Sequence, residues 1–253
     1  MTIAGSDNSA GAGIQADLKS FSHFGCYGLT TITCVVAEIP GKVTSIQPIK
    51  PHIVAEQIVL SLEAFPVAAV KTGMLFSTAI VEIAAEKLSK SKAHLVVDPV
   101  MVASSGDRLL KKSAIAAYEK LLLPHATLVT PNLDELKILA RREVSSLAEM
   151  KDAGRALVDR YGTAFLLKGG HLRGKTAVDF LATTDGFEEF AAPFVKTAET
   201  HGTGCTYSSA IAAHLAHGHS LSESVAASKK YITAAIQQHL AWGRVGALEH
   251  FPS

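Results

Sequence analysis

The clearest chemical signal in this chain is Thr200-His-Gly-Thr-Gly-Cys-Thr206, which comes directly before an apolar run with helical character. Gly202 and Gly204 allow consecutive backbone N–H groups to converge, and a helix N-terminus adds roughly half a positive charge. Such a turn would stabilise negative charge on a transferring phosphoryl group. Cys205 would lie in the same field, where the pKa of a thiol can fall to about 3.5–7.5. The alternative is a simple turn with a small buried cysteine.

Oxygen ligands and a lysine follow three predicted strands. Asn132 and Glu135 are three residues apart, on one face of a predicted helix start. Glu135 can hold Mg²⁺ through water, and Asp98 is a second hard oxygen ligand. Lys168 comes before two glycines and offers a point charge for a nucleotide phosphate. The alternatives are an N-cap for Asn132, a solvated first-turn acid for Glu135 and a snorkelling lysine.

Other motifs carry weaker signals. The loop Gly5–Gly13 lacks the Lys-Ser/Thr of a Walker phosphate loop, and its match to G-x-G-x-x-A follows a loop too long for a dinucleotide fold. A metal site at His214, His217 and His219 lacks a carboxylate or cysteine partner in the sequence, and histidines often interact with a helix C-terminus.

These residues must be positioned by a repeated alternation of apolar strands and helices of ten to fifteen residues. The predicted strands are Met1–Ala4, Tyr27–Ile39, Ala69–Thr72, Leu95–Asp98, Ala126–Thr130, Ala164–Lys168, Ala177–Leu181 and Glu188–Ala191. The predicted helices are Ile14–Phe24, Pro51–Ala64, Ser77–Ser89, Lys111–Leu122, Ser146–Tyr161, Cys205–His217 and Ser220–Leu240. This pattern favours an α/β fold, with a mainly parallel central sheet and helices on both faces. Ligands bind such sheets beyond the carboxyl ends of the strands.

The composition narrows the functional class. The 253 residues carry a net charge of +1 and are 48% hydrophobic and 19% charged, which indicates a well-packed protein without a nucleic-acid or membrane footprint. Three cysteines without a CxxC pair favour a reducing compartment. No run of eighteen apolar residues and no signal-peptide pattern occurs, so a cytoplasmic location is expected. The sequence shows no internal repeat, low-complexity tract or domain linker, so a single domain over residues 1–253 is expected.

Taken together, the motifs resemble those of the hydroxymethylpyrimidine/phosphomethylpyrimidine kinases of thiamine biosynthesis, within the ribokinase-like superfamily. The matching stretches are ordered along nearly the whole chain. They are Thr2–Asp7, Gly11–Lys19, Lys71–Leu75, Asp98–Met101, Ser105–Asp107, Thr130–Glu135, Lys168–His171 and Thr200–Thr206.

The resemblance implies a ribokinase-like three-layer sandwich, use of ATP and Mg²⁺, and a homodimer. It assigns substrate binding to Gly5, Asp17, Glu38 and Met74, nucleotide binding to Lys168, Asn132 and Thr203, and magnesium to Asp98 and Glu135. It assigns the anion hole to the Gly202–Cys205 turn, which includes Gly204. It assigns to Cys205 the role of accepting the proton of the substrate hydroxyl.

One departure from the family pattern concerns Glu38, which replaces a glutamine that contacts the aminopyrimidine edge. An ionised carboxylate only accepts hydrogen bonds, whereas an amide also donates. Glu38 could accept from an exocyclic amine, or from the phenolic hydroxyl of a pyridoxine-type ring. The leading hypothesis is therefore a pyrimidine kinase that acts on the alcohol and then on its monophosphate, with a pyridoxal kinase as the alternative. A non-catalytic binding module and an NAD(P)-dependent oxidoreductase are less favoured.

Overall fold

Strands and helices alternate along residues 1–101, 112–170, 175–197 and 201–253, which the computed structural model describes. The strands are β1 (Thr2–Asp7), β2 (Thr30–Ile39), β3 (Lys42–Pro48), β4 (Ala69–Thr72), β5 (His94–Val97), β6 (Leu128–Val129), β7 (Ala164–Lys168), β8 (Thr176–Thr183), β9 (Gly186–Pro193), β10 (Leu240–Trp242) and β11 (Val245–Ala247). The helices are α1 (Gly13–His23), α2 (Pro51–Ala64), α3 (Thr78–Leu88), α4 (Lys112–Ala117, continued by a π-turn over Tyr118–Leu122), α5 (Leu133–Ala140), α6 (Leu147–Tyr161), α7 (Thr203–Ala216) and α8 (Leu221–Gln237). Among the helices of these ranges, none combines the length and apolar character needed to cross a bilayer.

The strands β1 to β9 form one sheet in the order β3-β2-β1-β4-β5-β6-β7-β8-β9. The central strands β2, β1, β4, β5, β6 and β7 run parallel to one another. At the edges, β3 pairs antiparallel with β2, β8 pairs antiparallel with β7, and β9 pairs antiparallel with β8. The strand order reverses direction between β1 and β4, where adjacent crossovers diverge and a ligand crevice is expected.

Two hydrophobic clusters lie on opposite faces of this sheet. One packs α2 to α6 against the strands, with Ile58, Leu136 and Leu157 fully or almost fully buried. The other packs α1, α7 and α8 against the other face around Phe21 and Ile211. The three-layer arrangement of helices, mainly parallel sheet and helices is therefore confirmed.

The sequence-based prediction missed two hairpins. β3 pairs antiparallel with β2 across a Pro40-Gly41 turn, and β10 pairs with β11 around Gly243. Most residues of β3 are exposed, so this edge strand has no buried face to impose an alternating apolar pattern. The same applies to β10, whose three residues are all exposed.

Candidate active site

A cavity of about 560 Å³ lies beyond the carboxyl ends of the parallel strands. The strands β1, β2 and β7 reach its wall with their last residues, and the loops after β4, β5 and β6 complete it. All the predicted site residues except Asp17 line this cavity: Gly5, Glu38, Met74, Asp98, Asn132, Glu135, Lys168, Gly202, Thr203, Gly204 and Cys205. Residues that are far apart in sequence are thus brought around a single volume.

Lys168 and Asp98 form an ion pair where α7 begins. Lys168 Nζ lies 3.1 Å from Asp98 Oδ1. Asp98 also accepts hydrogen bonds from Thr130 Oγ1 at 3.2 Å and from Ser208 Oγ at 3.3 Å. A β-carbon placed on Gly204 would lie 3.4 Å from both Lys168 Nζ and Asp98 Oδ2. The lysine, the carboxylate and the first turn of α7 therefore meet at one end of the cavity.

Glu135 is held behind this ion pair by backbone hydrogen bonds. Its Oε1 accepts from Met101 N at 3.1 Å, and its Oε2 accepts from Asn132 N at 3.0 Å. Asn132 Oδ1 accepts in return from Glu135 N at 3.0 Å, which completes a capping box at the start of α5. The interpretation of Asn132 as an N-cap is therefore confirmed. The interpretation of Glu135 as a solvated first-turn acid is wrong, because only 2% of the residue is exposed.

The electrostatics of this end of the cavity depend on burial. Burial raises the pKa of Glu135 to about 7, with Lys168 lowering it and Asp98 raising it. Burial opposes the charge of Lys168, but the carboxylates of Asp98 and Glu135 outweigh that effect and keep its pKa above the ordinary value. Lys168 is thus a permanent cation that faces the cavity.

The start of α7 is held in place by a close backbone approach. Gly202, at the N-cap, has φ +80°, and a β-carbon there would lie 1.7 Å from Gly11 O. Only glycine can combine this left-handed backbone with such a contact. Gly202 has no side chain to cap α7, and the N-terminus of a helix is a favourable place for an anion.

Cys205 lies in the first turn of α7, but its thiol does not have the lowered pKa that the helix field predicts. Burial raises the pKa of Cys205 to about 11, although the ammonium of Lys71 and the N–H of Gly13 act in the opposite direction. The prediction is wrong because desolvation of the thiolate exceeds the favourable field of the helix. Cys205 is therefore a neutral thiol at pH 7.

Asp17 lies beneath the cavity rather than in its wall. Its carboxylate is fully buried and accepts hydrogen bonds from Lys71 Nζ at 2.8 and 3.0 Å, from Ser209 Oγ at 2.6 Å and from Thr2 Oγ1 at 2.6 Å. A direct contact between Asp17 and a substrate does not fit this position, because every hydrogen bond of the carboxylate goes to the protein interior. Asp17 instead ties α1 to β1, β4 and α7.

Replacing Asp17 by asparagine should lower stability rather than substrate affinity. Lys71 would remain buried without an anionic partner, which typically costs about 3–5 kcal/mol. We expect urea denaturation to show a loss of about this size, with the KM of any reaction of the folded protein nearly unchanged. As a control, Asp134→Asn removes the exposed ion pair with Lys137 and should cost less than about 1 kcal/mol. A stable Asp17→Asn protein with a strongly raised KM would instead restore the substrate role.

A second part of the cavity wall, called here the ring end, is formed by β1, β2 and the loop after β4. A β-carbon on Gly5 would lie 2.9 Å from Cys34 Sγ and 3.1 Å from Met74 Cε, so the backbone of β1 packs closely against these side chains. Val36 and Ile46 add apolar surface to the same wall. This end can accommodate the faces and edge of a small ring.

Glu38 projects into this end beside two residues that the sequence analysis did not assign to the substrate. His201 Nε2 lies 3.0 Å from Asp7 Oδ2, and the ligand atoms of Asp7, Glu38 and His201 all lie within 4.8 Å of one another. Burial and the Asp7 carboxylate raise the pKa of Glu38, and they outweigh His201, which acts to lower that pKa. In the sequence, Asp7 and His201 are recognisable only as polar residues next to the two glycine-rich loops. Polar residues in such places can equally have packing roles.

Asp7 is the most firmly held of these three side chains. Burial opposes its ionisation, but hydrogen bonds from His201, Ser9 and Ala12 outweigh that effect and lower its pKa to about 2. Asp7 Oδ1 accepts from Ser9 N at 2.7 Å, and Oδ2 accepts from Ser9 Oγ at 3.0 Å and from Ala12 N at 2.8 Å. Asp7 is thus a fixed anion at the turn between β1 and α1.

A second buried ion pair in the cavity wall was also missed. Lys229 Nζ, on α8, lies 2.7 Å from Asp179 Oδ2, and Asp179 Oδ1 accepts from Gly169 N at 3.0 Å. Asp179 is the register partner of Lys168 in the antiparallel pair of β7 and β8. This pair supports the turn that follows Lys168, and neither residue belongs to a motif that distinguishes it in the sequence.

Some predicted features lie elsewhere or outside the described residues. Ser105–Asp107, His171 and Thr200 fall outside the described ranges. His217, at the end of α7, makes contacts away from the cavity: its Nε2 lies 2.7 Å from Phe24 O and 3.3 Å from Cys26 Sγ.

Comparison with known families agrees with this geometry. The family model described as phosphomethylpyrimidine kinase matches residues 7–248. A hydroxymethylpyrimidine/phosphomethylpyrimidine kinase of Salmonella typhimurium is 44% identical over 99% of this chain and 96% of its own length. The thiamine biosynthesis bifunctional protein ThiED of Geobacter sulfurreducens is 43% identical over 96% of this chain, which spans only 50% of that longer relative.

Solved structures show the same backbone arrangement. An ADP complex of Bacillus subtilis pyridoxal kinase superposes with a TM-score of 0.92 at 36% identity, covering 98% of this chain and 96% of that one. A phosphomethylpyrimidine kinase of Clostridium difficile superposes with a TM-score of 0.83 at 40% identity, covering 93% of this chain and 97% of that one. Both kinds of vitamin kinase therefore share this scaffold.

Proposed function

The chain belongs to the phosphomethylpyrimidine kinase family, whose members are kinases with the ribokinase-like fold, and from this premise we propose its reaction. It transfers the γ-phosphoryl group of ATP to the hydroxymethyl group of 4-amino-5-hydroxymethyl-2-methylpyrimidine, and then a second phosphoryl group to the monophosphate, in thiamine biosynthesis. The observation that supports this most directly is the meeting of Lys168, Asp98 and the start of α7 at one end of a cavity whose other end fits a ring.

The nucleotide phosphates fit the end of the cavity at Lys168. The transition state of phosphoryl transfer is loose and spreads negative charge over the equatorial oxygens, so catalysis depends on position and on neutralising charge. The ammonium of Lys168 and the N–H groups at the start of α7, from Thr203 to Cys205, supply that charge from two directions. Asp98 orients the lysine through the 3.1 Å ion pair.

The carboxylates of Asp98 and Glu135 fit the hard oxygen ligands that Mg²⁺ prefers. Glu135 uses both oxygens for backbone hydrogen bonds, and Asp98 accepts from Lys168, Thr130 and Ser208. We therefore expect these two carboxylates to hold the ion mainly through its water shell. When bound, Mg²⁺ neutralises charge on the nucleotide phosphates.

The thiol of Cys205 is suited to orient the substrate hydroxyl rather than to act as a resting thiolate base, because its pKa is about 11. Little base strength is needed in a loose transition state, where the hydroxyl can keep its proton until late. Cys205 lines the cavity from the first turn of α7.

Replacing Cys205 by alanine should lower kcat about a hundredfold, at the lower end of typical acid–base and positioning effects. The loss of one methyl-sized group from a half-buried helix start should leave the fold intact, which circular dichroism and thermal unfolding would check. Cys205→Ser restores a hydrogen-bonding group and should recover part of the rate. Full activity in the alanine variant would show that Cys205 does not contact the reacting hydroxyl.

The position of Glu38 at the ring end of the cavity is compatible with either a pyrimidine or pyridoxal as the substrate. Glu38 can accept a hydrogen bond from the exocyclic amine of the pyrimidine, and it can equally accept from the phenolic hydroxyl of pyridoxal. The superposition on pyridoxal kinases over nearly the full chain shows that the pyridoxal alternative would use a related scaffold. The relatives in sequence favour the pyrimidine.

The test is release of ADP by the purified protein with ATP and Mg²⁺ and a panel that contains the hydroxymethylpyrimidine, its monophosphate, pyridoxal and pyridoxine. We expect the highest kcat/KM with the pyrimidine and a measurable second transfer to the monophosphate. A higher kcat/KM with pyridoxal would establish the alternative. Activity with none of the four would contradict both assignments.

We also propose a homodimer, a cytoplasmic location and a single kinase domain over residues 1–253. These proposals follow from the family and the composition.

A further inference from the structure

The side chains of Asp7, Glu38 and His201 form a cluster in which only Glu38 has a proposed role in binding the substrate. Asp7 ends β1, Glu38 lies near the end of β2, and His201 lies two residues before α7. Their ligand atoms lie within 4.8 Å of one another, and all three residues line the ring end of the cavity. The cluster combines one imidazole nitrogen with two carboxylates, and it shares no residue with the ion pair of Lys168 and Asp98.

The spacing of these atoms suits a shared metal ion. Bond lengths from zinc of roughly 2.0–2.2 Å to nitrogen and oxygen place neighbouring tetrahedral ligands about 3.3 Å apart. The observed 3.0 Å between His201 Nε2 and Asp7 Oδ2 is close to this value. Glu38, at the exposed end of a strand, has a side chain long enough to close the remaining gap by rotation about its own bonds.

The backbone around the cluster is already fixed. Asp7 is held by the N–H groups of Ser9 and Ala12, and the N–H of Glu38 donates to Asn8 Oδ1 at 2.7 Å. The end of β2 is thereby tied to the loop after β1, which holds Glu38 beside Asp7. Such supporting hydrogen bonds are what orient ligands in metal sites. The two neighbouring carboxylates also repel each other, and a divalent cation would remove that repulsion.

We propose that Asp7, Glu38 and His201 form a binding site for a borderline transition-metal ion of the Zn²⁺, Co²⁺ or Ni²⁺ class. An imidazole ligand favours these ions over Mg²⁺, which prefers oxygen ligands and retains its water. The site is separate from the Asp98 and Glu135 carboxylates that suit Mg²⁺. An ion bound here occupies the space of the substrate ring, so the metal inhibits the enzyme by competing with the ring and not with ATP.

The test uses the full chain, treated with EDTA and free of substrate and nucleotide, and titrates it with Co²⁺ as the probe. We expect one ion per chain, with visible d–d absorption typical of a site with nitrogen and oxygen ligands, and displacement of Co²⁺ by Zn²⁺ but not by millimolar Mg²⁺. Glu38→Gln and His201→Asn should each weaken Co²⁺ binding at least about tenfold. The glutamine variant is nearly isosteric at a half-buried position, so it remains informative if His201→Asn unfolds.

The control is His217→Asn, which removes a histidine that lies 3.3 Å from Cys26 Sγ outside the cavity and could itself capture cobalt. This variant should bind Co²⁺ at the ring end as the unmodified chain does. Unchanged Co²⁺ binding in Glu38→Gln, or loss of the absorption in His217→Asn, would overturn the assignment. The absorption is measured without ATP or pyrimidine, so this result is independent of the proposed reaction.

Discussion

Replacing Lys168 by methionine is expected to lower kcat/KM about a thousandfold, which corresponds to about 4 kcal/mol of transition-state stabilisation. Lys168 is a permanent cation at the phosphate end of the cavity, 3.4 Å from the position of a β-carbon on Gly204. Loss of a single preorganised donor already costs about 100- to 1000-fold in kcat in other enzymes. A full charge directed at the phosphates should lie at the upper end of that range.

The Lys168→Met substitution also changes the protonation of the neighbouring Glu135 carboxylate. Lys168 lowers the pKa of Glu135, which burial has raised to about 7. Without the lysine this pKa rises further, so Glu135 would be protonated at neutral pH and would be a weaker partner for Mg²⁺. We therefore expect the variant to require more Mg²⁺ for half-maximal rate, measured by titration at saturating substrate.

Lys229→Met is the matched control for Lys168→Met. Both lysines line the cavity and pair with an aspartate, and their side chains are similarly exposed, 10% for Lys229 and 14% for Lys168. The two variants should therefore lose comparable stability in urea denaturation, whereas Lys229→Met should keep at least about a tenth of the activity. Equal losses of activity would mean that Lys168 acts through the stability of the cavity wall rather than on the phosphates.

Replacing Gly202 by alanine is expected to reduce activity at least about a hundredfold and to destabilise the protein. The left-handed backbone alone costs a non-glycine residue about 1–2 kcal/mol. In addition, the new methyl group would overlap Gly11 O, which would lie 1.7 Å away, so the start of α7 must separate from the turn after β1. This movement displaces the N–H groups of α7 from Lys168, and a small displacement of such groups is costly in catalysis.

Gly218→Ala provides the matched control at the other end of α7. Gly218 has φ +85°, but nothing lies within 4 Å of a β-carbon there. This substitution should cost about 1 kcal/mol in thermal or urea unfolding and leave kcat and KM unchanged. If Gly202→Ala behaves like Gly218→Ala, with a small loss of stability and full activity, the start of α7 does not stabilise the transferring group.

The alternation of strands and helices made most of the fold predictable from sequence. The ranges of α2, β4 and β7 agree residue for residue. α2 begins at a proline, and the two strands contain buried apolar residues and each end in a polar residue. The edge strand β3 and the final hairpin were not predicted, since exposed strands are defined by pairing with a neighbour rather than by their own pattern. The two-residue β6 is shorter than the predicted Ala126–Thr130.

The candidate site was predictable where glycines precede a helix, as at Gly202, and where a polar residue ends a strand, as at Lys168. Asp17 shows the limit of this approach, because a carboxylate in a family motif can serve the interior as well as the substrate. The pKa of Cys205 shows another limit, since burial depends on the whole fold and exceeded the local helix field. Asp7 and His201 lie in the matched motifs, but their grouping with Glu38 was not predicted for a related reason: only the folded chain places them beside it.

The buried bonds of Asp17 also have a consequence for the synthesis of the protein. The carboxylate binds Ser209 Oγ across 192 positions of sequence, and the turn at Gly11 packs on Gly202. A ribosome adds about 5–20 residues per second, so the early loop waits on the order of ten seconds or more for its partner helix. A growing chain therefore completes the packing of the Gly11 turn against the start of α7, where we propose that phosphate binds, only late in translation.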